Sequence, residues 1–552
     1  MKSKIFKKGL AAFLSVTMLA GVIVPATLKA YAEEKQPIQI LSINDFHGAL
    51  AEETKEKGKN LGMAKLVTAV KEHKKANPNT IVVSAGDNYQ GSAMSNLTYG
   101  APVSAMFKEM GIIASAVGNH EFDWGIEKTA KWEKDGGFKF LAANIVDKAT
   151  GKPVSWADPY LIKEVDGVKI AFIGLTTPQT SFQTAAERVK NVDFKDPKAT
   201  AEQWAKKLRD ENKADVVIAL THIGCKQDRD TKVITGELVE NDLVNAKGID
   251  AIISGHSHET VAGKVGNMPV VQGYKNGRCI AKLTLNRDAS GKVVDIVPEV
   301  ELVYKDKSGI AEDAATKASF DKFNKELDPI MSEKVGSTAI ELAHDRSAEG
   351  VSVLGYLTCD IMRKNVDAQI GMTNSGGIRN AIPKGDITMG KMYEILPFDN
   401  TIVKLTLTGQ QIKDNVNNGI NNEKIGWIEL AGMTAEIDQT RPFGDRVGDM
   451  FLEDGTKIEM DKLYTVATND FMATGGDGYN FENAKETNDT FVPMRDVVVK
   501  YLGANSPINF SFNQPLVTKD LSALPKKTAV PTGAIDDVVV ISPVLASMFS
   551  VR

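Results

Sequence analysis

The sequence predicts an α/β protein of two globular units, on three observations. Five runs of β-type apolar residues, Ile38–Ile43, Thr80–Ser84, Ile113–Val117, Val216–Thr221 and Ile252–Ser254, read as buried strands. Each is followed by a cluster of polar residues of ligand-binding type. At 552 residues the chain exceeds one ordinary domain. In open α/β sheets ligands bind at the carboxyl ends of strands, so the clusters are expected to share one site.

In chain order the clusters are Asp45-Phe46-His47, Gly86-Asp87, Gly118-Asn119-His120-Glu121, Thr221-His222 and Gly255-His256-Ser257-His258, which hold five of the seven histidines. A lone Asp-x-His or Gly-Asp after a strand is ordinary turn chemistry. Asn between Gly and His is less ordinary, and two imidazoles at i and i+2 on one loop supply two ligands at little cost in chain entropy. Five coincidences, all at strand ends, point to one site. The inventory suffices for two metal ions sharing one carboxylate, the equipment of a binuclear metal hydrolase.

With these clusters the sequence resembles the calcineurin-like metallophosphoesterases, and within them the two-domain 5′-nucleotidases. The flanking words Asn44-Asp45-Phe46-His47-Gly48 and Gly118-Asn119-His120-Glu121-Phe122-Asp123 narrow the likeness. The resemblance implies a four-layer α/β/β/α domain over 33–305 and a smaller α+β nucleotide-binding domain over 335–520. It implies that Asp45, His47 and His258 hold one divalent ion, that Asn119, His222 and His256 hold another, and that Asp87 bridges them. Zn, Mn, Co, Mg and Ca all stay open. Such ions, about 3.5–4 Å apart, polarise phosphoryl oxygens and generate a hydroxide for in-line attack. His120 is implied to stabilise the transition state and leaving oxygen, with Asp123 fixing its tautomer and raising its basicity.

Residues 306–334 are charged and helix-forming and read as a linker helix. Beyond them, a strand over Asp367–Met372 runs into Asn374-Ser375-Gly376-Gly377-Ile378-Arg379, where paired glycines allow close backbone approach and Arg379 offers a planar fork for phosphate. Asn469-Asp470-Phe471 leads into a tight turn, Gly475-Gly476-Asp477-Gly478. By resemblance, Asn374, Gly376, Gly377 and Arg379 are expected at the substrate, Trp427 and Phe471 sandwich the base, and Asp477 bonds the ribose. Two departures stand out. No second arginine occurs in Asn380–Gly426, which leaves weaker phosphate recognition or a lysine such as Lys404, Lys413 or Lys424. Glu429 stands where an amide often meets the base; it is expected to accept from a base amino group or to face solvent. Asn415–Asn422 reads as a polar loop.

Net charge of −5 offers no basic patch for a nucleic-acid polymer, so the expected partner is a small nucleotide. Lys2, Lys4, Lys7 and Lys8 precede an apolar stretch, Gly9 to Val24, and Ala30-Tyr31-Ala32 supplies a cleavage pattern, so 1–32 reads as a signal peptide. The stretch is short for a bilayer span of about 20 residues, so stable membrane insertion is not expected. Three cysteines are too few for a disulfide framework, and Cys225 reads as a packed free thiol. Residues 521–552 read as a disordered tail in which Leu524-Pro525-Lys526-Lys527-Thr528-Ala529 is similar to a wall-sorting signal with one extra lysine. The expectation is a secreted or wall-associated 5′-nucleotidase. The rival enzymes are a 2′,3′-cyclic-nucleotide phosphodiesterase with 3′-nucleotidase activity, whose members tend to carry asparagine at the position of Asp123, and a nucleotide-sugar or dinucleotide pyrophosphate hydrolase. The rival of another class is a non-catalytic surface binding protein.

Overall fold

The computed structural model describes residues 35–53 and 60–524, so the expected leader, and all but Leu524 of the expected wall-sorting segment, lie outside the described residues. In the first domain two six-stranded sheets pack face to face. One runs in the order Val293–Glu301, Ile280–Arg287, Ile38–Ile43, Thr80–Ser84, Ile112–Ala116, Lys139–Leu141. The other runs Val261–Val265, Met268–Gln272, Ala251–Ile253, Val216–His222, Val168–Thr176, Tyr160–Val165. Between them lie Ile40, Val83, Ala116, Phe172, Leu220, Ile253, Val271 and Leu283, all fully or nearly fully buried. Outside the first sheet, the helices Gly62–Ala76 and Ala101–Met110 bury Leu66, Val67, Val70, Met106 and Phe107. Outside the second, the helix Pro197–Asp210 buries Ala201, Ala205 and Leu208. This is the expected α/β/β/α stack. Because both faces of each sheet are covered, the central strands read as continuous apolar runs rather than alternating ones.

Ile38–Ile43, Thr80–Ser84 and Ile112–Ala116 pair in parallel, as do Val168–Thr176, Val216–His222, Ala251–Ile253 and Met268–Gln272. Parallel strands deliver their carboxyl ends to one edge, so five distant sequence clusters converge there.

The helix Ala314–Met331 starts at the N-cap Asp313, whose side chain accepts from the Thr316 N–H (3.0 Å). Phe320, Phe323 and Leu327 pack on the first domain's outer core, and Lys71 ties Asp313 (2.7 Å) to Glu109 (2.8 Å). The second domain is built on a five-stranded sheet in the order Ile428–Ala431, Ile370–Asn374, Leu463–Asn469, Thr401–Thr408, Glu486–Pro493. The helices Val353–Asn365 and Met494–Ala504 contribute to one of its two cores and Gly409–Asn418 to the other.

Two expectations are corrected here. The asparagine-rich tract is no loop over its first half, because the helix Gly409–Asn418 runs through it. Asn415 and Asn417 are buried there, Asn415 donating to the Asn480 carbonyl and Asn417 accepting from the Arg446 N–H. The second domain also extends past residue 520: Leu521 is buried and its carbonyl accepts from Arg441 Nη1 at 3.0 Å.

Candidate metal and substrate site

Asp45, His47, Asp87, His256 and His258 all have φ between +48° and +78°. Non-glycine residues adopt this left-handed region at a cost, and such strain clusters at functional sites. The ligand-type atoms of Asp45, His47 and His258 lie within 4.8 Å of one another, and so do those of Asp87, His222 and His256.

The imidazoles are aimed by backbone carbonyls. His47 Nδ1 meets the Gln90 carbonyl (3.0 Å), which turns Nε2 toward His258 Nε2 (3.1 Å). His222 Nδ1 meets the Ala85 carbonyl (2.7 Å), which leaves Nε2 3.0 Å from Asp87 Oδ2 without hydrogen-bond geometry. A carbonyl on the far nitrogen fixes the tautomer of a metal-binding histidine in this way. Asn119 Oδ1 is buried with no partner, an oxygen that a cation would satisfy.

Burial drives His256 down to about 3, helped by the charge of His222, and holds His47 well below its usual range, so both rings are neutral and offer lone pairs. Burial also opposes charge on His222, yet Asp87 and Asp45 outweigh it and lift the ring to about 10. Burial would raise Asp45, but its neighbours bring it to about 2. His258, through its hydrogen bond and charge, and then the charge of His222 do this against burial, and the His256 N–H (2.9 Å) and Asn44 Nδ2 (2.6 Å) also donate to the carboxylate; burial lowers His258 itself. Asp87 is held well below the carboxylate range, chiefly by His222 and His120 against the cost of burial. Ionised Asp45 and Asp87 beside the neutral rings of His47, His256 and His258 form a cation-binding donor set, which His222 joins by giving up its proton to an arriving cation.

Two further residues shape the site. Glu121, fully buried, accepts from the backbone N–H groups of Gly118 (2.7 Å), Asp87 (2.9 Å) and Asn88 (3.0 Å), pinning two of the loops together. His120 belongs to neither donor group, although its backbone N–H donates to Asp87 Oδ1 (2.9 Å). Its Nδ1 donates to Asp123 Oδ2 (2.8 Å), and Asp123 and Asp87 raise its pKa despite burial.

The second domain faces this cluster. The Phe398 ring stacks on His120 (centroids 5.9 Å, 23°), and the Arg379 guanidinium sits over the other residue of that contact, Phe398, at 5.4 Å. Asn96 Nδ2 donates to the Pro397 carbonyl (3.0 Å) across the domains. Arg346 lies alongside the Gly-Gly motif: a methyl on Gly376 would stand 3.7 Å from its Cζ. Burial and the neighbouring Arg346 lower Arg379 to about 10. Asn374 Nδ2 donates to Asp477 Oδ2 (2.8 Å), and Asn469 Nδ2 donates to Asn374 Oδ1 (3.0 Å). Phe471 is half-buried, its ring where a methyl on Gly476 would come within 2.6 Å.

Three sequence expectations fail in this domain. Trp427 is only 5 % exposed and packs in the domain core rather than standing open to the cleft. Phe398, which sequence reasoning missed, is the half-buried aromatic beside His120 and Arg379. Glu429 meets neither base nor solvent: it is 1 % exposed and accepts from the Ser352 N–H (2.8 Å) and hydroxyl (3.0 Å) at a helix N-terminus. Lys404 is tied to the carbonyls of Val366 and Asp367, and the second arginine is Arg346, upstream of the Gly-Gly motif rather than after it. Cys225 is a buried thiol as expected, 3.4 Å from Ser254 Oγ and pushed up to about 12 by burial.

Residues 38–260 match the family described as calcineurin-like phosphoesterase, and residues 334–484 match that described as 5′-nucleotidase, C-terminal domain. The chain belongs to the calcineurin-like phosphoesterases that carry a 5′-nucleotidase C-terminal domain. A 5′-nucleotidase of Vibrio cholerae is 27 % identical over 92 % of this chain and 98 % of that protein. A 5′-nucleotidase precursor of Thermus thermophilus has a solved structure that matches with a TM-score of 0.73 at 25 % identity, covering 88 % of this chain and 99 % of that one. The endonuclease YhcR of Bacillus subtilis is 31 % identical over 80 % of this chain, which spans 37 % of that relative's length. As a member of this phosphoesterase family, the protein is a metal-dependent hydrolase.

Proposed function

We propose that the protein is a 5′-nucleotidase, releasing phosphate from nucleoside 5′-monophosphates, and that it acts after export. Asp45, His47 and His258 would hold one divalent ion, Asn119, His222 and His256 a second, and Asp87 both. The observation that carries the reading is the convergence of these two donor groups with Arg379 and Phe398 of the second domain. The orphaned Asn119 oxygen and the carbonyl-aimed imidazoles fit such ions, and the imidazole-rich set suits Zn²⁺ better than Ca²⁺. When bound, the ions supply Lewis-acid polarisation of the phosphoryl group and activate water.

The chain's own residues do the rest. Asp123 accepts from Nδ1 of His120 and, with Asp87, favours the doubly protonated ring, whose Nε2 proton passes to the leaving oxygen. Arg379 and Arg346 orient the phosphoryl group, Asp477 and Asn374 bind the ribose and base edge, and Phe398 and Phe471 flank the base, each stack contributing about 1–3 kcal/mol. Export rests on the basic, apolar and small-residue order of residues 1–32.

A second reading, phosphodiester cleavage, is favoured by the similarity to an endonuclease. Chromatographic identification of the products formed from AMP, ADP, ATP, UDP-glucose and 2′,3′-cyclic AMP with Mn²⁺ or Zn²⁺ decides between them. AMP is expected to give the highest kcat/KM. Preference for the cyclic diester would transfer the assignment to the phosphodiesterases, and turnover of none of the five would leave a binding protein.

A further inference from the structure

The loop from Gly273 to Cys279, between the strands Met268–Gln272 and Ile280–Arg287, leaves the same carboxyl edge as the donor clusters. It is pinned to the first of them. Asn44 Nδ2 donates to the carbonyls of Gly273 and Tyr274 (2.7 Å each), and the Asn276 N–H donates to the Asp45 carbonyl (2.8 Å). Gly277 presses against Phe46, where a methyl would lie 3.3 Å from a ring carbon. The residue held between these anchors is Lys275.

Its surroundings are cationic. Lys275 Nζ lies 6.0 Å from the Tyr274 ring centroid, and the Arg278 guanidinium lies 5.6 Å from the same centroid. Among the described residues Lys275 has no side-chain hydrogen bond and no ion pair, and Arg379 has no ion pair. Burial, reinforced by Arg379 and Arg278, lowers Lys275 to about 8, and Lys275 and Arg379 both bear on the His258 ring. Lys275 and Arg379 each lack an ion pair among the described residues, and Asp45 on the one and Asp123 and Asp87 on the other offset their burial only in part, so an anion between the two is favoured.

We propose that Lys275 is a further substrate-binding residue, which with Arg379 across the cleft takes non-bridging oxygens of the reacting phosphoryl group. It thereby selects terminal, dianionic phosphoryl groups over singly charged diesters. The inference rests on the proposed nucleotidase reading and deepens it. The first domain supplies Lys275 and the second supplies Arg379, so the phosphoryl group is held from both sides. A diester, with one charge fewer and a substituent on one of those oxygens, gains less from this pair.

The test uses the full Mn²⁺-loaded chain and the variants Lys275→Gln and Lys275→Arg. Lys275→Gln is expected to lower kcat/KM for AMP about 10- to 150-fold, the range for a hydrogen bond to a charged group, and that for bis(p-nitrophenyl) phosphate by less than about 3-fold. Lys275→Arg should restore much of the loss. Calorimetric binding of phenylphosphonate should weaken in step, while that of its singly charged monomethyl ester stays unchanged, with bound metal intact throughout. Equal losses on both substrates, no loss on either, or loss of metal in Lys275→Gln would each overturn the proposal. Should the wild type leave AMP untouched, the nucleotidase reading falls, and the phosphonate pair still decides the role of Lys275.

Discussion

Trp427→Ala and Phe398→Ala separate the aromatic that builds the second domain from the one that meets the substrate. Trp427 is 5 % exposed and packed in the domain core, so truncation leaves a large cavity and costs about 3–5 kcal/mol. At roughly 2–4 °C per kcal/mol for a domain of this size, melting should fall by about 6–20 °C. Phe398 is half-buried, and its ring touches His120 at 5.9 Å and Arg379 at 5.4 Å. Removing it forfeits a cation–π contact of about 0.5–1 kcal/mol and a base stack of about 1–3 kcal/mol. The expected result is a near-normal melting temperature with KM for AMP raised about 5- to 150-fold, and bis(p-nitrophenyl) phosphate hydrolysis altered by no more than about 5-fold. Calorimetric melting and steady-state kinetics on both substrates read these apart. A Trp427→Ala protein that melts normally yet binds AMP poorly would return Trp427 to the base site. Unchanged AMP kinetics in Phe398→Ala would remove Phe398 from it.

Asp87→Ala removes the only carboxylate proposed to touch both ions, so bound metal by elemental analysis should fall from two toward one or none, with turnover abolished; two tightly held ions in that variant contradict a shared ligand. His120→Ala should lower kcat by about 10²–10⁴ at full metal content, and loss of metal instead would make His120 a ligand. Asp470 gives a pH test in metal-free protein. Burial raises its carboxyl from 3.8 to about 6, although Oδ1 accepts from the N–H groups of Phe471 (2.9 Å) and Thr401 (3.1 Å). A folded value above the unfolded one means stability fully present below about 3.8 and lost as pH rises through about 6. Asp470→Asn keeps the acceptor without the charge. Relative to wild type it should therefore gain up to about 3 kcal/mol between pH 4 and pH 7, read from urea midpoints, and a pH-independent difference would contradict the burial argument.

What the sequence disclosed follows from how rare each residue type is in its setting. Histidine, asparagine and aspartate at the ends of buried strands have few structural reasons to gather, so the clusters that hold them stand out in the sequence, and the parallel strands bring Asp45, His47, Asp87, His222, His256 and His258 to one edge. Their left-handed backbone was not legible, because five of these residues are of types that avoid it only statistically. Aromatics carry no such signal. Phe398 stands in Leu396-Pro397-Phe398, which reads like any core-forming stretch, whereas Trp427 precedes a strand and looks available until packing places it inside. Arg346 was hidden by order: chain position says nothing about which side of the Gly-Gly turn a guanidinium approaches, and only the fold lays it beside Gly376. Glu429 shows the reverse error, a carboxylate spent on capping the helix that begins after Ser352.

The division of labour between the domains explains why the second half was harder to read. Every donor to the proposed ions comes from the first domain, where strand ends fix loops by backbone hydrogen bonds such as Asp45 N–H to the Gly86 carbonyl and His47 N–H to the Asp87 carbonyl. Selectivity depends on contacts across domains, as in the ring of His120, which meets His47 edge-on at 5.3 Å and the Phe398 face at 5.9 Å. One imidazole thus abuts both the donor cluster and the second domain. In the proposed reading, a nucleotide seated there would meet the first domain together with Arg379 and Arg346 at its phosphoryl end and the rest of the second domain along its nucleoside. Substitutions in the first domain's ligand loops should then reduce every phosphoester alike, and those in the second should sort esters by what is attached to the phosphorus. Lys275 is the exception: a first-domain residue whose partner in holding the phosphoryl group, Arg379, comes from the second.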